Sequence, residues 1–298
     1  MTKLLELTIA GTAIGAQYAL ICLGFVIIYK ATGVINFAQG ALVVMGMYMA
    51  YNATTTWNLP FAIAVVVAMA MGALIGMLIE FLILRRMVGQ PVFAVIMITL
   101  GLLIVLDELA IGIWGAANLN LGDPWGISSV HLGDITVEVR KLWTLALTGV
   151  AMGGFFALFR YTSIGVAMRA TALDQEAALA QGISPRRIFA LSWAIAGAVA
   201  ALAGVTAGTG SAQVQPAVAA LALIAFPAII LGGLDSPGGA VLGGVIIGIT
   251  QTLTAGYQAD YFNWAGDGFD IVMPYLVMIL VLLVRPFGLF GTREVRRA

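Results

Sequence analysis

The sequence predicts an all-α fold, a polytopic bundle of transmembrane helices with about 8–9 membrane segments. Three observations predict it. Hydrophobic residues make up 61% of the 298 and charged residues 9%, against roughly 45–50% and 25% in a soluble domain. Apolar runs of about 20 residues, long enough to cross roughly 30 Å of hydrocarbon, recur along the whole length. These runs are continuous, whereas the strands of a membrane barrel alternate lipid-facing and lumen-facing residues over about 10 positions. The chain, residues 1–298, reads as a single membrane-spanning domain.

The first element is the apolar run from Leu7 to Ile28, preceded by Lys3 and Glu6. It is too long for the hydrophobic region of a signal peptide and lacks a convincing cleavage site, so it is expected at 7–29 as a retained helix. Further spans are expected at 31–53, 60–84, 92–115, 142–159, 188–209, 221–234, 237–256 and 271–284, the short one at 221–234 either crossing or re-entering. Cys22, the single cysteine, lies in the first span, which excludes an internal disulfide and a cysteine metal site. Placing Arg85 and Arg86 in the cytoplasm puts 11 of the 14 Lys and Arg side chains there by alternation. Lys3, Arg140 and Lys141 then lie outside with Asp123, Asp134, Glu138, Asp260, Asp267 and Asp270. The C-terminus is expected in the cytoplasm and the N-terminus outside, provided that 221–234 crosses. Zero net charge points to no polyanionic partner such as nucleic acid.

Two outer loops follow, 118–141 with a Gly122-Asp-Pro turn and 256–270 with Tyr257, Tyr261, Phe262 and Trp264. Such aromatics form either an interfacial belt or a surface for an external partner. Glycine, 36 residues in all, gathers in Gly197–Gly204, at Gly72 and Gly76, and between Gly232 and Gly248. Small residues let transmembrane helices approach closely, so these read as packing glycines. Two stretches go further. Ala31-Thr-Gly-Val-Ile-Asn-Phe-Ala-Gln-Gly-Ala41 and Leu231-Gly-Gly-Leu-Asp-Ser-Pro-Gly-Gly-Ala240 each leave an apolar run, break at glycine and resume after Gly-Ala, as in a degenerate internal repeat. They are either a pair of interrupted segments marking a transport path or ordinary turns.

Uncharged polar residues at depth are the candidates for lining such a path: Gln17, Asn36, Gln39, Thr99 and Gln251, with Asn36 and Gln39 three apart on one face. Asp107, beside Glu108, joins them, because a carboxylate at the bilayer centre costs roughly 2.5–3.5 kcal/mol on insertion scales. Glu80 is expected to pair with Arg85 or its neighbours. A self-contained secondary carrier would need ionisable relays deep in the bundle, and His131, the only histidine, falls in an outer loop. A membrane-embedded enzyme would need converging carboxylates or histidines, and none converge in the spans.

The longest cytoplasmic stretch, 160–187, holds strong helix formers between Val166 and Gln181. Val166, Ala170, Leu173, Ala177 and Ala180 recur at helical spacing, so one amphipathic helix of about four turns is expected over Val166–Gln181. Gly182 is placed to stop it, and Ser184-Pro185 to cap and open the next span. Amphipathicity alone suits a lipid surface or a groove on a soluble protein.

At these residues the chain resembles a known family, the permease subunits of bacterial ABC importers for branched-chain amino acids, of the LivH type. The resemblance rests on Gly33-Val-Ile-Asn-Phe-Ala-Gln-Gly40, on Gly165-Val-Ala-Met-Arg-Ala-Thr-Ala-Leu-Asp174 with Ala177 and Gly182-Ile183, on Gly232-Gly233 with Gly238-Gly-Ala240, and on Arg285-Pro-Phe-Gly-Leu-Phe-Gly291. It implies a type II ABC importer permease in the bacterial inner membrane, and it makes 160–187 the loop that couples to an ATPase, with Arg169, Asp174, Glu176 and Gly182 as coupling residues. Implied partners are a homologous second permease, two ABC ATPase subunits and an extracytoplasmic substrate-binding protein. No cofactor is expected here: the phosphate-loop pattern G-x-x-x-x-G-K-[ST] is missing from this sequence, and the resemblance assigns ATP and magnesium to the ATPase subunits. The implied cargo is a branched-chain or other hydrophobic amino acid, with urea, short amides or other small amphipathic solutes as the alternative.

Overall fold

Hydropathy sets the long elements of this chain, and the computed structural model describes them over residues 2–87, 90–115, 117–122, 124–126, 128–132, 135–209, 213–261, 266 and 268–291. The helices are α1 (Thr2–Thr32), α2 (Gln39–Tyr51), α3 (Phe61–Leu82), α4 (Val92–Trp114), α5 (Val139–Tyr161), α6 (Ser163–Leu173), α7 (Gln175–Ala180), α8 (Pro185–Gly208), α9 (Leu221–Ile224), α10 (Phe226–Gly232), α11 (Pro237–Tyr261) and α12 (Phe269–Val284). Among the described residues α1, α3, α4, α5, α8 and α11 are long and apolar enough to cross a membrane. The other three expected spans are helical but shorter. α2 ends in a π-turn at Asn52–Thr56, α12 carries Pro274, and the segment 221–234 is split between α9 and α10. That split has a cause: Pro227 has no N–H for the carbonyl of Leu223, and the hydroxyl of Tyr275 donates to it instead at 3.0 Å.

One element is not helical. Ser129–Leu132 (β1) and Ile135–Glu138 (β2) pair as an antiparallel hairpin with Val130 opposite Val137. Four residues a side is too short for alternation to stand out against the apolar spans. Asp123, Asp134, Phe262, Trp264, Asp267, Arg293, Arg296 and Arg297, all placed in loops or tail by the sequence, lie outside the described residues.

The chain divides into two compact units. The first gathers Met1–Val26, Trp125–Thr148 and Leu221–Ala298. Here α1 packs on α11 through facing glycines: a Cβ at Gly11 would lie 2.7 Å from the Cα of Ile249, and one at Gly244 2.7 Å from the nitrogen of Ala19. A polar pair closes the same seam, the Tyr18 hydroxyl donating to Gln251 Oε1 at 2.6 Å, and the Cys22 thiol donates to the carbonyl of Ala225, between α9 and α10, at 3.3 Å. At the end of α10 the chain turns at Gly233, whose φ of 103° suits glycine, and Ser236 Oγ accepts the N–H of Gly239 at 3.0 Å as α11 starts. The segment after α12 returns to this turn, where the N–H groups of Leu289 and Phe290 donate to the carbonyls of Leu231 and Gly232 at 2.8 and 3.2 Å.

The second unit gathers Ile27–Pro124 and Gly149–Ala220. Its core is α8, whose face from Ser192 to Thr206 is almost wholly buried against α2 and α3. Close approach again decides the pairing. A Cβ at Gly72 would lie 2.5 Å from the carbonyl oxygen of Gly197, and Gly76, Gly46 and Gly204 meet the backbone of Trp193, Ala201 and Val43 in the same manner. Without a hydrophobic force between helices in lipid, this contact supplies the dispersion energy of association.

Gly197→Leu should therefore lower the unfolding temperature of the detergent-solubilised protein, overpacking typically costing about 1–3 kcal/mol. Gly153→Leu, at an exposed α5 position with nothing near its Cβ, should leave it unchanged. Equal melting curves for both would refute the seam. In the hairpin, hydrogen bonds from Lys141 at 2.8 Å and Arg140 at 3.0 Å hold Glu138 below the ordinary glutamate value of 4.5. Its contribution is present above that value and is lost as pH falls through the lowered one. A carbon-13 NMR titration of the Glu138 carboxyl should show a midpoint below 4.5, and a midpoint at or above it would remove the ion pairs from solution.

Candidate functional site

The first of the two interrupted stretches builds a site. α1 ends where Gly33, at φ 73°, donates its N–H to the carbonyl of Tyr29 at 2.7 Å. The chain then runs irregularly to Asn36, whose Oδ1 accepts the N–H of Ala38 at 3.0 Å and turns it into α2. Residues 32–36 line a cavity of about 470 Å³. All of its lining residues belong to the second unit. Ile28, Glu80 from the last turn of α3, Leu84, Met87 and Gln90 from the turn that follows, Val92, Val95 and Thr99 of α4, Gln175 of α7, and Phe189 and Trp193 of α8 complete the lining. Size and lining, mostly apolar with a few convergent polar groups, match a small-molecule site.

Electrostatics concentrate on Glu80. The 3₁₀ turn Leu84–Met87 folds Arg85 back over it, with Nη2 donating to Oε2 at 3.0 Å and Nε to Oε1 at 3.3 Å. The guanidinium also lies 4.8 Å from the Phe81 ring centroid. The expected Glu80–Arg85 pair thus forms. Its partners differ in exposure: the Glu80 side chain is 2% exposed and that of Arg85 32%.

Of the six candidates for a path, Asn36 and Thr99 line this cavity. Gln39 is buried beside Asn36 with Nε2 unpartnered, and Asp107 lies two turns along α4 from Thr99 with Oδ1 buried and unpartnered, as is the hydroxyl of Tyr48. Gln17 and Gln251 belong to the other unit, where Gln251 holds Tyr18. The walls Phe189, Trp193 and Gln175 were not legible, since an apolar helix face and a loop residue give no sign of which cavity they meet.

The expected helix Val166–Gln181 is corrected to two, α6 and α7, broken at Asp174. Asp174 is extended, at φ −158° and ψ 113°, and its Oδ1 accepts the N–H groups of Glu176 and Ala177 at 2.9 and 3.0 Å. Aspartate competes well for N–H groups it can cap, so it ends one helix and starts the next. Gly182 ends α7 as expected, at φ 80°, with the N–H of Ile183 returning to the carbonyl of Ala178 at 3.0 Å. Arg169 points into the protein, donating to the carbonyl of Phe159 and lying 5.0 Å from its ring, with Lys30 5.2 Å from the same ring. Glu176 is exposed. Large apolar side chains also face outward: Leu173 is 88% exposed, Leu179 62% and Val166 53%.

The whole chain has relatives. A family model described as branched-chain amino acid transport system, permease component, matches residues 7–283. The high-affinity branched-chain amino acid transport system permease protein LivH of Escherichia coli is 30% identical over 96% of this chain and 95% of its own length. The corresponding protein BraD of Pseudomonas aeruginosa is 29% identical over 98% and 97%. Among solved structures, PsaBC from Streptococcus pneumoniae in complex with Fab superposes with a TM-score of 0.51 at 15% identity, covering 97% of this chain and 94% of that one, a likeness of fold.

Asp174→Ala should remove the cap between α6 and α7, at a cost of about 0.5–2 kcal/mol. Amide exchange of Glu176 and Ala177 should accelerate while that of α8 stays unchanged, and slow exchange persisting at both would show that the cap is dispensable.

Proposed function

The chain belongs to the family of branched-chain amino acid transport system permease components, and from that premise we propose that it forms, with a homologous second permease, the ATP-driven path by which branched-chain or other hydrophobic amino acids enter the cell. The chain is a permease subunit of an importer and a multi-pass protein of the inner membrane. The drive, the cargo and the assembly are our reading. Two ABC ATPase subunits bind ATP and magnesium, and an extracytoplasmic binding protein delivers the solute. In this reading residues 1–298 work as one permease domain, with the C-terminus, Lys30, Arg85, Arg160, Arg186 and Arg187 in the cytoplasm.

The observation that carries the reading is the apolar outcrop on α6 and α7. Leu173 and Leu179 stand out of a stretch flanked by Arg160, Arg186 and Arg187, and exposed leucines on short capped helices suit a groove in a soluble partner. Arg169 and Gly182 hold the outcrop in place, Arg169 through Phe159 and Gly182 by ending α7. Each state of the transporter must bind its ligands differently for ATP to drive a change of access.

A Leu173→Asp, Leu179→Asp double variant should insert normally, lose at least ~10-fold of ATP-dependent leucine uptake, and release the ATPase on copurification, because buried anchor residues carry most of an interface energy. Undiminished uptake with the ATPase still bound would exclude α6–α7 as the docking element. Equal uptake by the chain reconstituted alone, without an ATPase, would exclude the ATP-driven assembly.

A further inference from the structure

We propose that the cavity beside the α1–α2 break is an amino acid site within the permease, and that the Glu80 carboxylate is its specificity-determining group, recognising the substrate's ammonium. The inference deepens the import reading and rests on it for the class of solute.

The geometry of the ion pair carries it. A carboxylate offers about four lone-pair positions, and the fork of Arg85 takes one on each oxygen. Among the described residues no other group donates to Glu80. Were the pair there only to neutralise charge, both partners would do so at lower desolvation cost at the surface, where Arg85 partly lies. Instead the anion, 2% exposed, forms part of a cavity wall while its cation, 32% exposed, faces away from full burial. The two lone-pair positions left over suit a donor arriving in the cavity.

The rest of the lining suits the rest of an aliphatic amino acid. Asn36, 1% exposed, has an amide N–H committed only to a long 3.5 Å contact with Gln39 Oε1, and so can donate to a carboxylate. Ile28, Val92, Val95, Phe189 and Trp193 supply apolar wall for a branched side chain. At about 470 Å³ the cavity also has room for several waters, each occupying about 30 Å³ in the liquid. A neutral amide or urea can also donate an N–H to the spare acceptors of Glu80, but it brings no positive charge to set against the carboxylate, whereas an ammonium adds Coulomb attraction at a site withdrawn from bulk water. Glu80 therefore selects amino acids over neutral amides.

The full chain in lipid nanodiscs, with radiolabelled leucine at equilibrium, tests this. Unlabelled isoamylamine, which keeps the ammonium, should compete, whereas isocaproate and isocaproamide should not. Glu80→Gln should weaken leucine and isoamylamine at least ~10-fold. Because that variant leaves Arg85 unpaired, the Glu80→Gln, Arg85→Gln double variant, which strands no charge, should show the same loss in a monodisperse protein. Competition by isocaproamide equal to that of isoamylamine, wild-type affinity in the double variant, or no leucine bound by the wild type would each overturn the site. Leucine uptake by the chain with its partner subunits separates the two readings. Wild-type uptake in the double variant refutes the role of Glu80 and leaves the importer standing, whereas ATP-independent uptake by the wild type refutes the importer reading and leaves the nanodisc result to decide the site.

Discussion

A peptide N–H or C=O that leaves a helix inside packed protein must find another partner, and the irregular parts of this chain are arranged around that constraint. Where α1 stops, the N–H of Gly33 returns to the carbonyl of Tyr29 and Asn36 takes the N–H of Ala38. Where α10 stops, the N–H of Gly233 returns to the carbonyl of Ile229, and the segment after α12 supplies donors to Leu231 and Gly232. Where Pro227 removes a donor, Tyr275 replaces it. Each interruption is possible because a particular side chain or strap satisfies it, and the one at residues 32–36 leaves a cavity beside it.

Glycine solves the complementary problem. Lipid tails offer no less dispersion energy than a leucine does, so helices adhere only where their backbones come close. Gly72 with Gly197 in one unit and Gly15 with Gly244 in the other bring main chains together where any Cβ would collide. Stiff seams of this kind give the cavity fixed walls: α3 and α8 contribute Glu80, Phe189 and Trp193 from positions set by the glycine contacts further along the same helices.

The long spans were legible because a run of apolar residues admits few alternatives in a bilayer. Glycine positions and the Glu80–Arg85 pair could be read too, since both act over short sequence distances. The division at Asp174 could not be weighed: helix propensity between Val166 and Gln181 favours one rod, and the cap wins because one aspartate oxygen satisfies two N–H groups. The hairpin 129–138 was too short to register. The cavity was half visible, through Asn36 and Thr99, and its other walls depend on which helices meet, a matter of tertiary packing that no local pattern encodes.

The interruption at Asp174 also fixes a length. Leu173, on its near side, is 88% exposed, and Gln175, on its far side, lines the cavity. Two residues of extended chain span at most about 7 Å. The exposed leucine and the cavity wall are thus separated by one aspartate, so a partner seated on Leu173 would sit within two residues of the chamber without contacting a membrane helix.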